Sequence, residues 1–267
     1  MTVAVAPVST VDAFLGGKVE AIQPSRGHHR AGLEAVLLAA AVESGFAGTV
    51  ADLGAGVGVA GMAIAARCPA ARVILVERDP EAIACARAAL ARPANRASAD
   101  RVATAAVDVA APEAERVAAG LGRAMADAVV MNPPFHASEE GTQSPNPQRA
   151  AAHVLADGGL DPWLRAAASA LKPDGHVVII FRADRLDALF AALADRFGDV
   201  AVLPIHPRAG KSAHRVLVRA TKGSRAATRL LPALTLHPAT GSTYLPEMDA
   251  ILRGGLGLAE IHPAWEI

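Results

Sequence analysis

Between residues 48 and 220, short apolar runs alternate with segments whose apolar residues recur at helical spacing. Runs at 49–53, 72–76, 101–107, 126–131 and 175–181 predict strands. The segments 57–67, 160–171 and 184–197 predict helices, and Asp79-Pro80 supplies an N-cap with proline at the first helical position for a further helix to about residue 91. Strands separated by helices imply a parallel sheet covered on both faces. Residues 200–205 and 214–220 read as a closing pair, which adds a terminal antiparallel strand. Upstream, residues 13–23 read as two short strands around Gly16-Gly17, followed by a donor-rich loop at 24–30 and a helix over 31–44. The expected division is a hairpin and loop at 1–30, a catalytic domain at 31–222, and an extension at 223–267 packed on the same domain.

A chain of 267 residues with 52% hydrophobic positions can bury the core of one large α/β domain. The longest nearly uncharged stretch, 44–66, carries Asp52 and a glycine-rich centre, so it does not read as a membrane span. The first fifteen residues lack the basic start of a secretory signal, and a cytoplasmic protein is expected. In that setting Cys68 and Cys85 are expected as reduced thiols. The chain contains no CxxC, HExxH or GxSxG, so no metal is expected and a serine-hydrolase reading has no support. Lys plus Arg and Asp plus Glu both total 26, so any nucleic-acid contact must be local. Arg208, Lys211, Arg215, Arg219, Lys222, Arg225 and Arg229 form an acid-free run, which fits either an RNA contact or a solvated sheet edge.

Open α/β sheets bind ligands beyond the carboxyl ends of their strands. Four successive predicted strands end in or beside Asp52, Glu77, Asp108 and Asn132, one polar group per strand. The loop Asp52-Leu53-Gly54-Ala55-Gly56-Val57-Gly58 follows the first of them and opens a helix. Gly56, Gly58 and Gly61 also satisfy GxGxxG, with Glu77 about 20 residues on, so a dinucleotide fold is the competing reading. The chemistry separates the two. A carboxylate before the glycines would repel a pyrophosphate and attract a ligand carrying an ammonium and a sulfonium. Glu77 can accept from ribose hydroxyls and Asp108 from an adenine amine. S-adenosyl-L-methionine fits this set better than NAD. The candidate cofactor contacts are Asp52, Gly54, Ala55, Gly56, Gly58, Glu77, Arg78, Asp108, Val109 and Asn132.

Asn132-Pro133-Pro134-Phe135 follows the fourth strand. An exocyclic amine or amide nitrogen has its lone pair delocalised, so it needs orientation before it can attack. The Asn132 side-chain oxygen and the Pro133 carbonyl can accept its two hydrogens. Two prolines stiffen the loop, and Phe135 offers a face for a planar base.

Taken together, these motifs resemble class I methyltransferases of the amino-nitrogen type, which act on adenine N6, guanine N2 or a glutamine amide. Pro147-Gln148-Arg149 with His153, His214-Arg215-Val216-Leu217, and the segment 23–38 narrow the resemblance to the bacterial family that methylates N6 of the adenosine beside the anticodon of valine tRNA. It covers about residues 14–220 and implies a strand order of 3-2-1-4-5-7-6, with tRNA or another structured RNA as partner. Arg30, His136, Arg149, His153, Lys211 and Arg215 are the candidate substrate contacts. Three alternatives stay open at this point: a guanine-N2 or glutamine-amide methyltransferase, a NAD-dependent oxidoreductase, and a silent RNA-binding module on the same fold. Gly210-Lys211-Ser212 is not a phosphate loop, because Ile205 stands where that pattern needs glycine.

Overall fold

The structure is a computed structural model and describes residues 9–24, 30–134 and 159–265. A hairpin of β1 (Ser9–Phe14) and β2 (Val19–Pro24) comes first, then α1 (Leu33–Ala41). The alternating body contains β3 (Thr49–Leu53), α2 (Val59–Arg67), β4 (Arg72–Glu77), α3 (Pro80–Leu90), β5 (Val102–Ala106), α4 (Glu113–Ala118) and β6 (Ala126–Met131). It continues through α5 (Asp161–Ala170), β7 (Leu171–Arg182), α6 (Leu186–Leu193), β8 (Phe197–Arg208) and β9 (Arg215–Lys222). After these come β10 (Arg229–Leu230), β11 (Leu234–His237), α7 (Pro246–Leu252) and α8 (Leu258–Ile261).

The large sheet runs β5-β4-β3-β6-β7-β9-β8, and both β10 and β11 pair with the far side of β8. Counting its strands from β3, this is 3-2-1-4-5-7-6, the order the resemblance implies. β9 is antiparallel to β7 and β8, and the other pairings in this sheet are parallel.

Alternation along the strands builds two cores. Val50, Val73, Leu75, Ala128, Val130, Val178 and Ile180 face one side, with α1, α2 and the hairpin. Ala51, Leu53, Ile74, Val76, Val129, Met131, Val177 and Ile179 face the other, with α5 and α6. α1 is buried over most of its length, and its sequence LEAVLLAAA is apolar all round except for Glu34. Its C-terminal carbonyls are met by Arg67, which donates to Ala39 and Val42, and by the Trp265 indole, 2.9 Å from the Ala41 oxygen. Leu231, Leu234, Leu236, Met248, Ile251, Leu258 and Trp265 join the core on the α1 side. Both cysteines are free thiols, Cys68 buried and Cys85 half-buried. Among the described residues, no helix is long and apolar enough to cross a membrane.

Two expected boundaries differ. The helix expected over 184–197 ends at Leu193, because Asp195 takes a positive φ of 67° and Phe197 pairs with Lys222 as the start of β8. The strand expected from residue 175 begins at Leu171, which pairs with Ala126 ahead of an irregularity in register.

Candidate active site

The β3–α2 loop turns through left-handed backbone at Gly54, Gly56 and Gly58, with φ of 70°, 55° and 84°, a region that glycine enters without a Cβ penalty. The Gly54 and Ala55 amides donate to the Val76 carbonyl at 2.8 and 3.0 Å, folding the loop back on the end of β4. A Cβ on Gly54 would lie 2.5 Å from the Trp163 ring, so α5 packs directly against the loop. A Cβ on Gly61 would lie 2.2 Å from Leu75 and 3.0 Å from Val73, so this glycine sets how closely α2 approaches β4.

Asp52 lies beneath this loop at 3% exposure, accepting from the Gly61 amide at 2.9 Å. Burial pushes its carboxyl up to about 7; the Gly61 amide opposes the rise and the charge of Glu77 adds to it. Glu77 is held by three amides: Gly56 at 2.9 Å on one oxygen, Arg78 at 2.8 Å and Asp79 at 2.9 Å on the other. Asp108 accepts from the Ala110 amide at 2.8 Å and from Arg78 at 3.0 Å. The Arg78–Asp108 pair is about half exposed and adds little to stability. Val109, beside Asp108, is buried in the α5 face of the core.

Asn132 leaves the end of β6, next to β3 in the sheet. Its Nδ2 donates to Glu34 at 3.2 Å, and Glu34 in turn accepts from the Arg215 Nε at 2.6 Å. The Asn132 Oδ1 is buried and has no hydrogen-bond partner among the described residues. Beside this group lies a cleft of about 200 Å³ lined by Arg30, Glu34, Leu37, Ile180, His214 and Arg215 among others. Burial, then the positive charge of Arg215, lowers His214 below the usual histidine value.

Chain sections far apart meet here. The buried Gln23 accepts from the Ala31 amide at 2.8 Å and donates to the Ala31 carbonyl at 3.3 Å, fixing the approach to α1. That places Glu34 in the first turn of the helix, where a carboxylate is favoured by the helix dipole.

A family model described as methyltransferase small domain matches residues 28–207. The chain belongs to this family. The methyltransferase is 32% identical over 231 residues to a curated tRNA1(Val) (adenine(37)-N6)-methyltransferase of Porphyromonas gingivalis, covering 82% of this chain and 85% of the relative. Among solved structures, a protein of Agrobacterium tumefaciens described as a predicted O-methyltransferase shares 35% identity and a TM-score of 0.72, over 84% of this chain and 97% of that one. The M. jannaschii protein TYW2, solved in complex with AdoMet, shows the same fold at TM-score 0.54 and 13% identity, over 83% of this chain and 89% of its own. The methyl donor of this methyltransferase is S-adenosyl-L-methionine.

The residues present suit that cofactor. Its cationic end would be favoured by the buried carboxylate of Asp52, and its hydroxyls and amine would find acceptors in the amide-held Glu77 and in Asp108. A pyrophosphate would meet those same carboxylates with like charge.

Of the expected contacts, Asp52, Gly54, Ala55, Gly56, Gly58, Glu77, Asp108 and Asn132 lie at the carboxyl edge formed by the neighbouring strands β5, β4, β3 and β6: Asp52 and Glu77 near the ends of β3 and β4, the glycines and Ala55 in the loop after β3, and Asp108 and Asn132 just after β5 and β6. Arg215, expected on substrate, is bonded to Glu34. Arg30 lines the cleft and pairs with Asp12. Lys211 is exposed in the turn between β8 and β9. Phe135, His136, Arg149 and His153 lie outside the described residues. Most of the basic run is engaged internally: Arg208 with the carbonyls of Pro238 and Gly241, Arg219 and Arg229 with Asp199, and Lys222 with the Leu171 carbonyl. Glu34 and Trp163 were missed. The signal for Glu34 was a lone acid at the start of an apolar helix; Trp163 carried no signal beyond being one of two tryptophans, and its approach to Gly54 is visible only in the fold.

Proposed function

We propose that this methyltransferase acts on the exocyclic N6 of an adenine in tRNA. The observation that carries the proposal is the buried, unsatisfied Oδ1 of Asn132 at the end of β6. Such an acceptor calls for a donor, and the curated relative named for adenine-N6 methylation of a tRNA supports an adenine amine as that donor.

When bound, S-adenosylmethionine supplies an electrophilic methyl on a sulfonium. The work of the chain is orientation. Asn132 Oδ1 and the Pro133 carbonyl accept the two amine hydrogens and turn the nitrogen lone pair away from the ring. Pro133 and Pro134 hold those acceptors still, and Phe135 offers its face to the base plane. The proton left on nitrogen after transfer departs to solvent. The O-methyltransferase description of the Agrobacterium protein is not carried over, because two paired acceptors suit a donor bearing two hydrogens. Since the base must leave its stack to reach this loop, an unpaired adenine is the expected target.

Total RNA from a deletion strain, read by nucleoside mass spectrometry, should lose N6-methyladenosine from tRNA. Purified enzyme should restore it on an unpaired stem-loop and far less on its fully paired counterpart. An unchanged nucleoside profile, or equal rates on both substrates, would refute the proposal.

A further inference from the structure

Resting on the reading of Asn132 as the group that orients the amine, we infer that Glu34 is the positioning residue that decides which end of the Asn132 amide faces the substrate. A carboxamide has two nearly isosteric ends, one accepting and one donating. Turned the wrong way, Asn132 would present N–H groups to an amine that also needs to donate, and the site would repel its target. Glu34 removes the ambiguity. An ionised carboxylate is acceptor-only, so the end of the amide it touches must be the NH2. The Nδ2–Oε2 distance is 3.2 Å, which leaves Oδ1 facing elsewhere, buried and without a partner.

Two further contacts fix Glu34. Arg215, on the antiparallel strand β9, donates its Nε to the other carboxylate oxygen at 2.6 Å. The partly buried setting of both groups, 26% exposed for Arg215 and 22% for Glu34, keeps solvent from replacing either partner freely. Gln23 fixes the backbone at Ala31, three residues before Glu34. Arg215, expected on sequence grounds to touch substrate, thus acts one step back from it. The relay runs from β9 through α1 to the end of β6.

Glu34→Gln is the decisive substitution because it keeps the shape and changes the logic. Arg215 Nε and Asn132 Nδ2 are both donors, and a glutamine in place of the carboxylate offers only one acceptor end to them. If the glutamine oxygen stays with Arg215, its NH2 faces Asn132, and the Asn132 amide must flip so that its own oxygen accepts. Oδ1 is then consumed and N–H groups point at the substrate. Glu34→Asp keeps the charge but draws the acceptor back by one methylene, and should give an intermediate loss.

The test has two readouts. Without substrate, the side-chain amide protons of Asn132 in 15N-labelled protein (assigned by their absence in Asn132→Asp) should shift upfield in Glu34→Gln as the charge-assisted bond is lost. In single-turnover kinetics, Glu34→Gln should cut the methyl-transfer rate roughly tenfold or more, with cofactor affinity within about twofold. The double variant Asn132→Ala/Glu34→Gln should be no slower than Asn132→Ala, because Glu34 acts through Asn132. An unchanged Asn132 resonance, or multiplicative losses in the double variant, would overturn the inference. If the amide shift appears while no adenine in RNA is methylated, the tRNA reading fails and the positioning role stands.

Discussion

Asp52→Asn should abolish a pH dependence of cofactor binding whose size follows from the site. Asp52 is 3% exposed and its carboxyl is pushed from 3.8 to about 7, chiefly by burial. In the unliganded protein it is therefore mostly protonated at about pH 6 and mostly ionised at pH 7.5. A cationic ligand binds the ionised form, so the apparent dissociation constant is the intrinsic one divided by the ionised fraction. That fraction rises from roughly 0.09 at pH 6 to about 0.76 at pH 7.5, which tightens binding roughly eightfold. Above pH 7.5 the amino group of the cofactor itself begins to titrate, so the window closes there. Stability of the unliganded protein moves the other way. A folded value raised above the unfolded one favours the folded state below about pH 4, and that contribution disappears as pH rises through about 7. The assay is calorimetric titration with S-adenosylmethionine at several pH values, in two buffers of different ionisation enthalpy. Near pH 6 the wild type should release close to one proton per ligand bound, and Asp52→Asn should release almost none. A flat affinity between pH 6 and 7.5, or an undiminished slope in Asp52→Asn, would refute the assignment.

Gly61→Ala forces a methyl to within 2.2 Å of Leu75 and 3.0 Å of Val73, so it should destabilise by about 1–3 kcal/mol, read as a lower Tm by differential scanning calorimetry. A Tm unchanged in Gly61→Ala would show that α2 is free to shift away from β4. Phe135→Ala should weaken use of an RNA stem-loop by about 1–3 kcal/mol in kcat/KM, whereas Phe135→Tyr keeps the ring face and should be nearly silent; equal losses in both would argue against stacking. Affinity for tRNA should fall steeply as salt rises, and charge reversal at the exposed Lys211 and Arg225 should weaken it while cofactor binding holds; salt-independent binding would remove the electrostatic account.

The row of polar strand ends was legible because it rests on local rules, whereas the strand order was implied only by the family resemblance. Short apolar runs mark β3, β4 and β6, as expected of strands buried on both faces, and a parallel sheet puts successive strand ends on one edge. Asp79-Pro80 announced α3, and the Asp79 side chain does cap it through the Glu81 amide at 2.8 Å. The sequence pattern failed where pairing partners override propensity. Pro173 and Gly175 make the start of β7 read as loop, yet Leu171 is already paired with Ala126. The segment after Arg229 is built from strands of two and four residues and short helices, too brief to show a period. In the site, the carboxylates were expected along one sheet edge, and the structure brings them there, but their burial was not legible. Asp52 is 3% exposed beneath the glycine loop, and nothing in its own strand announces that burial. Glu34 could be noticed from its own helix, but its role depends on Asn132 and Arg215, which no local window contains.

The spacing of those contacts bears on how the enzyme is made. Glu34 meets Asn132 across 98 positions and Arg215 across 181, while the helix that carries it is capped at its other end across 224. Each such contact closes a long loop of chain, and non-local contacts of this kind slow folding and form after local structure. The glycine loop is held by the neighbouring strand β4 and by α5, whereas the Glu34 relay also needs β9 and the returning chain around Trp265 in place. A refolding experiment should therefore recover cofactor binding before methyl transfer, separating a species that holds the methyl donor from one that can use it.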